Sequence, residues 1–231
     1  MFINKKRVFI FTNEIILIIN GKGNQTIISN ETLIPNQIYI NNDTNPQDGD
    51  KTIYNLEKDE NIVKLIYNTK LTTCKGMFLF RQNITEINFT NFDFSEVTDM
   101  SDMFHNCKQL RSIDFSNINT SSLTNMNFMF FECSSLQNLD LKSFDTKSVT
   151  SMIQTFINCF SLQNLDISSF NTSLVISMSQ MFLNCHALTS LDLSNFNTSS
   201  LTSMFQMFLN CISLKNINLL SFDTKSVTNM D

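Results

Sequence analysis

Apolar residues recur along the second two thirds of the chain in a spacing that changes midway through each unit. In VISMSQMFLNCHALTSLDLSNFNTSS, residues 175–200, Val175, Met178, Met181, Phe182 and Cys185 fall at i, i+3, i+6, i+7 and i+10. That spacing predicts one stripe of a short α-helix. Leu188, Leu191 and Leu193 follow in an L-x-x-L-x-L pattern, and the two-residue step predicts a short strand with both leucines on one face. Phe196 points back inward, and a turn follows at the Asn or Asp of the next position: Asp93, Asn119, Asp145, Asn171, Asn197 and Asp223. Thr198, Ser199 and Ser200 precede the next apolar stripe as candidate helix N-caps.

The unit repeats without insertion or deletion. Cys107, Cys133, Cys159, Cys185 and Cys211 are each 26 residues apart, which gives six full repeats over 71–226 and the start of a seventh at 227–231. A fixed period of this length is the mark of stacked repeats, because one strand and one helix cannot bury their apolar faces alone. The fold class expected is an α/β solenoid, a leucine-rich-repeat-like stack of strand-helix coils whose strands form a parallel sheet. The first repeat is degenerate, with Cys74 where later repeats carry Met and Arg81 where they carry Cys. At the other end Leu214, Ile217 and Leu219 are expected to expose an apolar edge, which reads as a fragment or a truncated product.

Residues 1–70 alternate differently and predict a β-rich capping region ahead of the repeats. Ile15 to Ile19 and Thr26-Ile27-Ile28 flank Asn20-Gly21 and read as a hairpin; Gln37 to Ile40 and Ile62 to Tyr67 read as further strands. Residues 41–50 form the one clear loop. Lys5, Lys6 and Arg7 precede an apolar stretch as a secretory signal would, but Asn13 and Glu14 split it and no small-residue cleavage site follows. No apolar run approaches the roughly 20 residues of a membrane-spanning helix.

The pattern V-T-x-M-x-x-M-F-x-x-C-x-x-L-x-x-L-D-L-S-x-F-x-T-S over 71–231 resembles the 26-residue repeat of BspA-like leucine-rich-repeat surface proteins. The resemblance implies a cell-surface or extracellular protein that binds other proteins or cells and has no catalytic residues.

Composition narrows the partners. Sixteen basic against 21 acidic residues give a net charge of -5, so no basic field attracts nucleic acid. The cysteine column invites a metal or redox reading. However, each Cys lies 26 residues from the next and shares the stripe with Met and Phe, which favours a small buried hydrophobe. Disulfide pairing between coils and metal binding are the alternatives. His105 and His186 occupy different repeat positions and form no recurring triad, so neither catalysis nor a cofactor is expected. Eight N-x-S/T sequons do not establish secretion in a chain so rich in Asn and Thr.

One column stands apart. Asp114, Asp140, Asp166 and Asp192, flanked by Asn88 and Asn218, lie between inward-facing residues and so face outward, about 4.8 Å apart between stacked strands. They form either a solvated ladder bonded to neighbouring Ser and Asn, or a ligand-facing surface together with Ser112, Ser116, Asn138, Lys142, Ser190 and Ser194. Two functions follow: recognition of a protein or glycan through the strand face, or an intracellular or structural spacer without a dedicated ligand.

Overall fold

A computed structural model describes residues 13–29, 34–41, 43–48 and 52–230. The basic stretch at 5–7 lies outside the described residues. The elements are β1 (Asn13–Asn20), β2 (Gly23–Thr26), β3 (Gln37–Ile40), β4 (Gln47–Asp48), β5 (Ile53–Leu56), β6 (Glu60–Tyr67), β7 (Ile84–Asn88), β8 (Ser112–Asp114), β9 (Asn138–Asp140), β10 (Asn164–Asp166), β11 (Ser190–Leu191) and β12 (Asn216–Ile217). No helix occurs among them, which overturns the α/β solenoid of strand-helix coils. The parallel strands are also divided: β7 and β8 belong to a six-stranded sheet ordered β4-β3-β6-β1-β7-β8, whereas β9 with β10 and β11 with β12 form separate pairs.

What replaces the helix is a run of tight turns that shares its hydrogen bonds with the next repeat. In the fifth repeat the N–H groups of Met181, Leu183 and Cys185 donate to Met178 O, Gln180 O and Phe182 O, each three residues back. The intervening N–H groups of Met178, Gln180, Phe182 and Asn184 donate forward to Ser203 O, Phe205 O, Met207 O and Leu209 O, at 2.7 to 3.0 Å. An α-helix would direct every N–H four residues back within the same segment. Two left-handed residues per repeat make the alternation possible, such as Gln180 (φ 56) and Asn184 (φ 63). A left-handed residue with a side chain costs about 1–2 kcal/mol. Each of these two donates an N–H to the next repeat, a bond worth about 1 kcal/mol net.

The inward stripe survives the change of local structure, because turns of three residues and helical turns of 3.6 bring nearly the same positions inward. Val175, Met178, Met181, Phe182 and Cys185 are fully buried. Phe78, Phe104, Phe130, Phe156, Phe182 and Phe208 stack at centroid spacings of 5.3 to 5.9 Å with planes within 13°. Thr155, standing where the other five repeats carry Met, is buried with its hydroxyl donating to Met152 O (3.0 Å) and with Met126 O also within reach (3.3 Å).

The expected caps are turns as well. Thr172 is buried, and its hydroxyl donates to Asn197 O (2.9 Å) while accepting from Asn197 N–H (2.8 Å) in the next repeat. Thr198 does the same with Asp223, and Ser199 N–H donates to Asn197 Oδ1. In four repeats a buried threonine, Thr120, Thr146, Thr172 or Thr198, thus bridges neighbours by one donor and one acceptor.

The expected hairpin at Asn20-Gly21 is also corrected. β1 pairs antiparallel with β6 along all eight residues and with β7 on its other side, while β2 pairs with β5. Gly21 and Gly23 adopt φ of 104° and 81°, and Asn61, fully buried, donates to Gly21 O and Lys58 O. The chain therefore turns away after β1 instead of folding back on it. β7 is paired by β1 on one side and β8 on the other. The two-residue β4 forms one edge of that sheet, where few backbone groups are left unpaired.

Truncating the stack at its middle should be costly: Phe156→Ala is expected to lower unfolding free energy by about 3–5 kcal/mol. Thr172→Val, which strands the Asn197 N–H, should lower it by about 1–3 kcal/mol. Urea titration of each variant measures both, and a loss below roughly 1 kcal/mol in both, closer to that of a surface substitution, contradicts the stacking described.

Candidate functional site

The outward Asp column is placed by the ends of the short strands. Asp114, Asp140 and Asp166 close β8, β9 and β10, and Asp192 follows β11. Each Oδ1 accepts the N–H two residues on: Ser116 (2.9 Å), Lys142 (3.0 Å), Ser168 (3.1 Å) and Ser194 (2.9 Å). Asn88 and Asn218 make the same bond, to Thr90 and Leu220. The column is therefore first a turn device, in which a short side chain accepts from the backbone where the strand stops.

These bonds hold several carboxyls below their ordinary value. Hydrogen bonds from Ser116, and then from Thr90, lower Asp114; the Lys142 side chain lowers Asp140; Ser194, through its N–H and hydroxyl, lowers Asp192. Asp140 in turn raises Lys142, 2.8 Å away. β9 and β10 run parallel in register, setting Asn138 beside Asn164 and Asp140 beside Asp166. Asn164 Nδ2 donates to Asn138 Oδ1.

Three hollows lie along this face. One of about 490 Å³ is lined by Asn138, Asp140, Gln163, Asn164, Asp166, Ser190 and Asp192, among others. A second, about 560 Å³, is lined by Ile16, Ile18, Glu86, Ser112, Asp114 and Ser116 with their neighbours. A third, about 240 Å³, brings Asp114, Ser116, Asp140 and Lys142 together. Ser194 does not line any of the three. The predicted surface thus divides, with Ser112 in one hollow and Ser190 in another. The Asp side chains stand in a line, and among the described residues no three His, Cys, Asp or Glu gather as a metal-binding group.

Ile16 and Ile18 were not legible as site residues. The run Ile15-Ile16-Leu17-Ile18-Ile19 has apolar residues on both faces of one strand, and only Ile15, Leu17 and Ile19 are buried. An apolar solvent side is the signal that was available.

The cysteines have a structural task. All six are free, and the thiols of Cys107, Cys133, Cys159, Cys185 and Cys211 each donate to the carbonyl of the Phe 29 residues back, at 3.1 to 3.2 Å. Burial pushes Cys107 and Cys159 up to about 12 and Cys211 to about 11. They are protonated donors, not thiolate nucleophiles. His105 is also committed: its Nδ1 lies 2.8 Å from Asp102 Oδ1, and its ring stacks on Phe131 at 4.3 Å and meets the tilted Phe80 ring at 5.4 Å.

A pH dependence follows. A thiol raised in the folded state ionises first in the unfolded chain, so the folded state holds more protons above the ordinary value of 9.0. Stability should be undiminished by this effect below pH 9.0 and fall as pH rises towards about 12. Replacing Cys107 and Cys159 by Ser should flatten that limb in urea titrations across the window; an unchanged limb contradicts the assignment. The lowered Asp114, Asp140 and Asp192 act at the other end, contributing above 3.8 and losing their contribution as pH falls below it.

Among the described residues, no helix is long and apolar enough to cross a membrane. No curated protein and no solved structure matches the chain. A family model described as "Mycoplasma protein of unknown function, DUF285" matches residues 72–187 and again 137–231. Those two matches overlap and together span most of the chain, from the first turn run to the last, and the protein belongs to that family.

Proposed function

We propose that this protein is a non-enzymatic recognition module that binds a protein through its strand face, and that it works at the cell surface or outside the cell. The finer kinship with BspA-like surface proteins, carried by the Met-Phe-x-x-Cys repeat, belongs to the same proposal. The observation that supports it is the 490 Å³ hollow over β9, β10 and β11, where amide, hydroxyl and carboxylate groups line a single concave surface. Such convergent polar groups in a concavity are what orient a bound partner.

The rest of the polar surface is occupied differently. Gln154, Gln180 and Gln206 bond to one another in a ladder, as do Asn158, Asn184 and Asn210. The Thr98, Thr124, Thr202 and Thr228 hydroxyls donate to carbonyls 26 residues back. On those walls the donors are spent on the stack itself. The catalytic reading gains nothing from the side chains that might carry it, since the thiols are protonated donors and His105 is held by Asp102 and two Phe rings.

A second reading, a spacer without a dedicated ligand, is favoured by one observation: the Asp column, continued by Asn88 and Asn218 at its two ends, also serves as a turn device. The two readings separate on a protein microarray probed with labelled full-length chain. Proteins retained by the chain should lose at least about tenfold in affinity with Asn164→Arg on the strand face, and none with Thr150→Arg, an exposed position that lines none of the three hollows. Equal binding by both variants, or no retained protein at all, contradicts the recognition reading and supports the spacer.

A further inference from the structure

The hollow at the seam of β1, β7 and β8 differs in chemistry from the one over β9 to β11. Its floor is apolar, with Ile16 and Ile18 on the solvent side of β1, and its rim is acidic, with Glu86 and Asp114. The strand registers fix their spacing. Ile18 lies across from Glu86, Ile16 lies across from Asn88, and Asn88 lies beside Asp114. Adjacent strands are about 4.8 Å apart, so one carboxylate stands one strand from the isoleucines and the other two strands away. The register of β1 against β7 shifts between Ile18 and Ile19. Such an irregularity bends a strand and re-aims its side chains.

Among the described residues some carboxylates are paired with a lysine and others are not, the two of this rim among the latter together with Asp166 and Asp192 of the same column. Asp93, Asp140, Asp145 and Asp223 each have a lysine within 3.6 Å. Among the described residues neither Glu86 nor Asp114 has one. Asp114 is instead held by neutral donors: Ser116 N–H (2.9 Å), Thr90 hydroxyl (3.2 Å) and Asn88 Nδ2 (3.3 Å). Those bonds orient the charge without cancelling it. On the far side of β1, Lys64 is engaged with Glu14 at 3.3 Å.

Backbone pairing does not offer a way in, because β1 is hydrogen-bonded on both sides, to β6 and to β7. A partner is therefore read by side chains across the face and cannot enter as an added strand. Uncompensated carboxylates beside the floor oppose phosphates, whether of nucleic acid or of a lipid surface, and complement a cation.

We infer that the seam hollow docks a protein segment that presents an apolar side chain next to a lysine or arginine. The apolar group covers Ile16 and Ile18, and the cation meets Glu86 and Asp114. This rests on the reading of the strand face as a recognition surface, and it names the chemistry of the partner.

The test is to pan a phage-displayed random peptide library on the immobilised full chain. Enriched peptides are then synthesised and their binding measured by fluorescence anisotropy. The enriched peptides should carry an apolar residue adjacent to Lys or Arg, and their affinity should fall as salt rises. Glu86→Lys should weaken them at least about tenfold. Glu86→Gln, which keeps the shape, should weaken them several-fold, as should Ile18→Ser, with thermal melts confirming that each variant folds. Enrichment of neutral or acidic peptides, or full affinity in Glu86→Lys, overturns the inference. Peptides that lose binding only with Asn164→Arg overturn it while leaving the strand-face reading intact. A library that yields no specific peptide counts against both.

Discussion

Everything in the repeat region depends on where half of the backbone N–H groups go. In every run of turns but the last, alternate N–H groups leave their own segment for carbonyls of the next repeat, as those of Gln180 and Asn184 do with Phe205 and Leu209. The same translation by one repeat governs the side chains. It stacks the phenylalanines, sets Thr172 and its counterparts against the following turn, and gives the five thiols of the 26-residue column carbonyls to donate to. A repeat without a neighbour would leave these groups unsatisfied, so the unit is ordered only as part of a stack.

The inward residues of the repeat were legible because burial follows spacing, and a turn run and a helix place Met178, Met181, Phe182 and Cys185 on the same side. The local structure was not legible from that spacing. Apolar positions three and four apart do not report whether an N–H bonds within its segment or to another chain segment 25 residues on. The residues that separate the two cases are the left-handed ones, and they carry a faint signal: Asn at 106, 158, 184 and 210, and Gly76 at the sister column of the first repeat. Asn and Gly tolerate that conformation better than other residues. In the first segment the Asn20-Gly21 pair is a turn signal, yet β1 is buried between two other partners, and tertiary pairing overrode the local hairpin preference.

The outward face divides along the chain in a way that the repeat pattern conceals. The Asp column has one geometry throughout, a carboxylate closing a turn, but its surroundings change. Near β1 it borders isoleucines contributed from outside the repeats, and beyond β9 it borders amides and hydroxyls. The candidate residues Ser112 and Ser190 occupy equivalent repeat positions and still sit in different hollows. Pairing of β1 against β7 makes that difference, and it is a long-range contact that no 26-residue comparison contains.

The central claim is that the turn runs bond forward to the next repeat and not backward as a helix. Scalar couplings across hydrogen bonds, measured by NMR on isotope-labelled chain, report donor and acceptor directly. The account predicts a coupling from the Gln180 N–H to the Phe205 carbonyl, with its counterpart from Asn184 to Leu209. A coupling from Gln180 to the carbonyl of Ile176, four residues back, would contradict it.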